Sequence, residues 1–254
     1  MNRPEVEHAV TSDRFDAVLF DLDGVLTDTA RIHAACWKTT FDDFLQRRAA
    51  ARGEEFRPFE IETDYHPYVD GKPRFDGVRD FLHSRGIELP EGEPDASPDE
   101  ESVCGVGNRK NRMVNQAIRT QGVESYPESI AWLRRVRAAG LKTAVVSSSA
   151  NCQEVLQAAK IEDLFDFRMD AKVAARLGLP GKPAPETFLR AARELGAAPG
   201  RAVVVEDAIA GVQAGLAGGF GLVIGVASHA SPEELRANGA DVVVRDLGQV
   251  AVSD

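Results

Sequence analysis

Five short apolar runs rich in β-branched residues punctuate the chain: "AVLF" (17–20), "KTAVVS" (142–147), "AVVVE" (202–206), "LVIGV" (222–226) and "DVVV" (241–244). Their apolar character is continuous rather than alternating, as in strands covered on both faces, which belong to parallel sheets. Helical patterns separate them. "PESIAWLRRVRAAG" (127–140) carries a proline at its start and Gly140 just past its end, the residues that favour those two positions. "APETFLRAARELG" (184–196) and "AIAGVQAGLAGG" (208–219) follow the same plan. Alternation of strand and helix predicts an α/β fold built on a doubly wound, Rossmann-like parallel sheet. In such sheets the active groups stand at the carboxyl ends of strands.

The rhythm breaks in the middle of the chain. "HAACWKTTFDDFLQRRAA" and "GVRDFLHSR" have helical spacing, and no strand pattern lies between them. Residues 31–125 therefore read as an inserted α-helical cap domain, and residues 1–30 and 126–254 as the core. The acidic, proline-containing "ELPEGEPDASPDEES" (88–102) reads as a solvated loop.

Composition narrows the function without naming it. A chain of 254 residues with 43% hydrophobic and 28% charged residues has enough apolar mass for a substantial core. A net charge of −10 argues against nucleic-acid or anionic-membrane partners, which require a basic face. An anionic substrate would need local positive charge instead. Cys36, Cys104 and Cys152 are far apart and form no CxxC, as expected of reduced thiols in the cytoplasm. His8, His33, His66, His83 and His229 give no HxxxH pair. The N-terminal "MNRPEVEHAVTSDR" lacks an apolar targeting core, no apolar run approaches membrane-spanning length, and a monomer is expected.

The candidate chemistry gathers where apolar runs end. Asp21 and Asp23 follow "AVLF" and, two apart, share a face of an extended backbone, with Gly24 permitting a sharp turn. Like charges so close need an offset. A second acidic pair, Glu206 and Asp207, ends "AVVV", and adjacent strands would join the two pairs into an oxygen-rich site suited to Mg²⁺. "VVSSSAN" puts Ser147 at a strand end ahead of a helix, where hydroxyls and free amides suit an anion; Ser149 or Asn151 also fits as the helix cap. "GKPAPETF" supplies Lys182, a cation able to neutralise a phosphoryl group beside carboxylates. Three other signals carry nothing. "GLAGGFGLVIG" has Ile224 where a dinucleotide motif needs glycine, "LRRVRAAGLK" and "QRRAAAR" are short solvated faces, and no histidine base neighbours Cys36 or Cys152.

"DLDGVLTD", "SSS", "KPAPETF" and "VVEDAIAGVQAG" stand in the order and spacing of the four motifs of the haloacid dehalogenase superfamily, and the resemblance spans nearly the whole chain. It implies that Asp21 is a nucleophile forming an aspartyl-phosphate and that Asp23 is the general acid/base. It also implies that Mg²⁺ is held by Asp21, the Asp23 carbonyl, Asp207 and Glu206, and that Ser147 and Lys182 grip the phosphoryl group. The second aspartate is the mark of phosphoryl-transfer members rather than dehalogenases proper.

Within the superfamily the chain resembles the β-phosphoglucomutase family, which acts on a sugar phosphate. "DTARIHAACW" matches Thr29, His33 and Trp37 of that pattern, and His33 and Trp37 share one helical face. In "YVDGKPRFDGVRDFL", Arg74 falls where the family holds the non-reacting phosphate, and Gly71 lets backbone approach the sugar. "GNRKN" (107–111) resembles a substrate-facing segment and offers Lys110 and Asn111; Ser148, Ser149 and Asn151 complete the expected substrate set. Two positions depart from the pattern. Asp70 stands where mutases usually carry lysine, with Lys72 nearby, and Ala150 replaces a common lysine. A sugar-phosphate phosphatase, trehalose phosphate included, and a non-catalytic phosphosugar-binding module are the alternatives.

Overall fold

The computed structural model describes residues 9–228 and 230–253; His8 and His229 lie outside the described residues. Its strands are β1 (Val10–Thr11), β2 (Ala17–Phe20), β3 (Lys142–Val146), β4 (Phe167–Met169), β5 (Ala202–Glu206), β6 (Leu222–Val226), β7 (Val242–Val244) and β8 (Val252–Ser253). Six of them form one parallel sheet in the order β4-β3-β2-β5-β6-β7, while β1 pairs with β8 alone. The order reverses direction at β2, which places the switch point beside the first carboxylate pair.

Helices α1 (Thr29–Arg52), α2 (His66–Tyr68), α3 (Arg74–Ser84) and α4 (Val103–Gln121) precede β3, together with a π-helical turn at Ile61–Tyr65. Helices α5 (Pro127–Ala138), α6 (Cys152–Ala158), α7 (Ala171–Arg176), α8 (Glu186–Glu194), α9 (Ile209–Ala217) and α10 (Pro232–Ala237) complete the chain. The α/β architecture expected from alternation is the one observed.

Strand side chains alternate between two cores. Val18, Phe20, Val203 and Val205 face a cluster with Trp132, Leu133, Val136 and Val155, whereas Ala17, Leu19, Ala202 and Val204 face Phe188, Ala191, Val212 and Ala214. Both faces are thus dry, which accounts for the unbroken apolar runs in the sequence. The helical insert has an aromatic core of its own. Phe41 lies 4.9 Å from Trp37, 4.9 Å from Phe59 and 4.3 Å from Phe81 between ring centroids.

Several elements escaped the sequence pattern, β4 and α4 among them. Strand β4 is three residues long, includes Arg168 and occupies an edge, so it lacks a periodic signal. Helix α4 begins with Gly105 and Gly107 in its first turns, residues that oppose helix. Tertiary packing overrides that preference. A Cβ on Gly105 would overlap the Glu100 carbonyl oxygen, and one on Gly107 would stand 2.8 Å from the Phe75 ring. The helix is capped by Ser102, whose hydroxyl accepts from the Gly105 amide at 3.0 Å.

Trp132 is fully buried, meets Phe20 edge-on at 5.7 Å and donates its indole N–H to the Val250 carbonyl at 2.9 Å. Trp132→Ala should lower stability by about 3–5 kcal/mol through the cavity and the orphaned carbonyl. Urea denaturation measures it, and a loss below about 1 kcal/mol would contradict this view of the packing.

Candidate active site

Register brings the acidic pairs together. Residues 17–20 of β2 pair in order with 142–145 of β3 and 202–205 of β5, so the three strands end side by side. The Asp21 amide still donates to the Val205 carbonyl at 2.9 Å, fixing its carboxylate beside Glu206. The chain then turns at Gly24, where φ is +90° and a Cβ would overlap Asp207 Oδ2. Only glycine satisfies both the backbone and the contact.

Lys182 occupies the centre. Its buried ammonium donates to Asp21 Oδ1 at 2.5 Å, Glu206 Oε1 at 2.5 Å and the Val146 carbonyl at 2.8 Å. Glu206 is satisfied on its other oxygen by the amides of Asp207 (3.1 Å) and Ala208 (3.2 Å). Carboxylate oxygens of Asp21, Glu206 and Asp207 all lie within 4.8 Å of one another. Burial pushes the Asp21 carboxyl up to about 6 and that of Glu206 up to about 7, against the pull of Lys182. Burial, then the carboxylates of Asp70, Asp21 and Glu206, drive Asp207 well above the usual carboxylate range. One ammonium among three buried carboxylates leaves negative charge uncompensated, and an all-oxygen donor set of this kind fits a hard divalent cation.

Asp23 turns away from that cluster. It accepts from the Thr29 hydroxyl and, at 3.4 Å, from the Ser147 hydroxyl, and burial raises its carboxyl. His33 Nε2 stands 3.8 Å from Asp23 Oδ1 and has no hydrogen-bond partner, while His33 Nδ1 lies 2.9 Å from Lys110 Nζ. Burial, then the charge of Lys110, holds His33 well below its ordinary value. A neutral imidazole that accepts at Nδ1 carries its proton on Nε2, facing Asp23. Lys110, pushed down to about 8 by burial, also sits 4.8 Å over the Trp37 ring.

A cavity of about 920 Å³ lies between the sheet ends and the helical insert, at the upper end of the range for ligand sites. Asp21, Asp23, His33, Trp37, Gly71, Arg74, Lys110, Asn111, Ser147, Ser148, Ser149, Asn151 and Asp207 are on its wall. Thr29, Lys182 and Glu206 are behind it: Thr29, expected to contact substrate, instead supports Asp23 from a buried position. Two pairs of substrate candidates meet across the cleft. Ser148 donates to the Gly71 carbonyl at 2.7 Å, and the Asn151 amide to Asn111 Oδ1 at 3.0 Å. Asn151 precedes α6 without capping it through its side chain.

Asp70 is on the wall, its Oδ2 3.3 Å from His66 Nδ1, whereas Lys72 gives its ammonium to Asp80 at 2.7 Å. Sequence reasoning missed Ser228, which donates to Asp207 Oδ2 at 2.8 Å, and His66. Ser228 has no local signal, because it follows β6 and reaches Asp207 across the sheet, whereas His66 meets Asp70 four residues further along the chain.

Known proteins resemble this chain over most of its length. The haloacid dehalogenase-like hydrolase family profile matches residues 15–219. A β-phosphoglucomutase of Mycobacterium tuberculosis is 48% identical over 254 residues, covering 98% of this chain and 97% of its own. Hexitol phosphatase A of Escherichia coli is 28% identical over 244 residues, 94% of this chain and 95% of its own. A crystal structure of β-phosphoglucomutase from Clostridium difficile superposes with a TM-score of 0.71 at 26% identity, covering 92% of each chain.

Lys182→Met should cost about 3–5 kcal/mol of stability, because it leaves Asp21 and Glu206 buried without their cation. Thermal or urea unfolding at neutral pH reads it; a variant within about 1 kcal/mol of the parent would mean the carboxylates are not charged there.

Proposed function

Since the chain belongs to the haloacid dehalogenase-like hydrolase family, we propose that it is a β-phosphoglucomutase, converting β-glucose 1-phosphate to glucose 6-phosphate. One observation carries the reading. A single cavity holds a carboxylate pair, Asp21 and Asp23, from the sheet and an arginine, Arg74, from the insert. A bisphosphate has one phosphate for each.

Asp21 attacks the phosphorus with an oxygen, the bond to the sugar oxygen breaks, and its electron pair leaves on that oxygen. Asp23 gives the leaving oxygen a proton, and in the second half-reaction takes one from the sugar hydroxyl that attacks the phosphoaspartate. Lys182 keeps Asp21 ionised and oriented, and Ser147 orients both Asp23 and the phosphoryl group. Bound Mg²⁺, held by Asp21, Asp207 and the Asp23 carbonyl with Glu206 behind them, would supply positive charge to the transferring group. Thr29 bonds Asp23 from the first residue of α1, and His33 of the same helix, held by Lys110, faces Asp23 at 3.8 Å, so the proton carrier is positioned when the insert is seated. The contacts of Gly71 with Ser148 and of Asn111 with Asn151 hold it there and keep water from the phosphoaspartate.

The helical insert of residues 31–125 is thus the cap. The substrate is a small phosphosugar, and the enzyme acts as a monomer in the cytoplasm, where its three buried, unpaired cysteines stay reduced. No helix among the described residues is long and apolar enough to cross a membrane. A sugar-phosphate phosphatase is the second reading, favoured by Asp70 and Ala150 on the wall in place of cations and by the likeness to hexitol phosphatase A.

Asp21→Asn should abolish turnover while leaving the circular-dichroism spectrum unchanged; substantial residual activity would remove Asp21 as nucleophile. Arg74→Ala should reduce mutase turnover far more than hydrolysis of acetyl phosphate, by about 10²-fold against a few-fold. Assays of glucose 6-phosphate and inorganic phosphate side by side decide this, and equal losses would remove Arg74 from the second phosphate.

A further inference from the structure

Arg74 is the first residue of α3, and its guanidinium lies 4.5 Å over the Phe75 ring. Gly107 of α4 receives that ring, since any Cβ there would stand 2.8 Å from it. The next residue of α4 is Asn108. Arg74 Nη2 donates to Asn108 Oδ1 at 3.0 Å, and both amide hydrogens of Asn108 are used elsewhere, on the carbonyls of Pro94 (3.1 Å) and Ala96 (2.9 Å). The amide is therefore fixed in one orientation, with its oxygen presented to the guanidinium. Asn108 itself is off the wall of the cavity.

The charge around Arg74 is arranged with equal economy. Among the described residues no carboxylate forms an ion pair with it, and its buried Nε has no partner. Two acidic side chains of the same region are taken by Arg79, which bonds Asp76 and grips Glu91 in a two-point contact of 2.7 and 3.0 Å. A carboxylate at position 108 would hold Arg74 just as firmly but would have to be displaced by a phosphate. A neutral amide oxygen holds the guanidinium in place and leaves its charge free.

We propose that Asn108 is a positioning residue that fixes Arg74 through a neutral oxygen, so that an uncompensated guanidinium faces the substrate phosphate that is not being transferred. This rests on the mutase reading, in which Arg74 serves that phosphate. The 88–102 loop takes part as well, because its Pro94 and Ala96 carbonyls set the orientation of the amide. The loop thereby acts on substrate binding through Asn108 and Arg74.

A double-mutant cycle on the intact enzyme tests the proposal, with β-glucose 1,6-bisphosphate as the varied substrate. Alanine is a good helix former, so Asn108→Ala should fold, which a thermal melt verifies. The expected result is a KM raised about tenfold or more with kcat within about twofold, as for loss of a hydrogen bond to a charged group. The Arg74→Ala/Asn108→Ala double variant should bind no more weakly than Arg74→Ala alone. An unchanged KM in Asn108→Ala, or losses that multiply in the double variant, would overturn the positioning role while leaving the mutase reading intact. An unchanged KM in Arg74→Ala would overturn both.

Discussion

The structure depends on one buried cation. Lys182 stands between Asp21 and Glu206 with 2.5 Å contacts to each, at a point where the parallel sheet delivers carboxylates from neighbouring strands. Without it β2 would end in charge that the dry interior cannot hold. With it, the cluster still carries an excess of negative charge. That donor set fits a hard divalent ion, which when bound would supply positive charge to a phosphoryl group at Asp21. The fold can be read outward from this constraint. Register at β2, β3 and β5 brings the groups level, and Gly24 makes room for Asp207.

The insert answers a different problem. A phosphoaspartate is open to water unless something covers it, and the contacts that cover it include short polar groups and backbone from both sides of the cleft. Asp23 sits at the junction, bonded to Thr29 at the start of α1 and to Ser147 of the core. The residue proposed to carry the proton is thus the one most sensitive to whether the insert is seated. Division of charge follows the same logic. On the wall of the cavity Lys110 and Arg74 have no ion-pair partner close by among the described residues, whereas Lys72 and Arg79 of the same wall are tied to Asp80, Asp76 and Glu91.

The carboxylate centre was legible in the sequence because strand ends are local. An apolar run followed by Asp21, Asp23 and Gly24, and another followed by Glu206 and Asp207, state their geometry in a few residues. What was hidden is what distant elements assemble. Ser228 reaches Asp207 only because β6 follows β5 in the sheet. Helix α4 was obscured by glycines that permit close packing against Glu100 and Phe75, and with it went the meaning of Asn108. Thr29 shows the opposite case: a motif position read as a substrate contact proves to be a buried support for Asp23. Lys72, close in sequence to the Asp70 that replaces a usual lysine, does not stand in for it, since Asp80 takes its ammonium.

All of this chemistry turns on whether the phosphoaspartate passes its phosphoryl group to a sugar hydroxyl in preference to water. Rapid-quench measurement of that partition decides it, using β-glucose 1-phosphate with catalytic β-glucose 1,6-bisphosphate in ¹⁸O-labelled water and Mg²⁺. For a mutase, glucose 6-phosphate forms in large excess over inorganic phosphate, with little ¹⁸O in the phosphate pool. Stoichiometric release of ¹⁸O-labelled phosphate without glucose 6-phosphate would contradict that and make the protein a phosphatase.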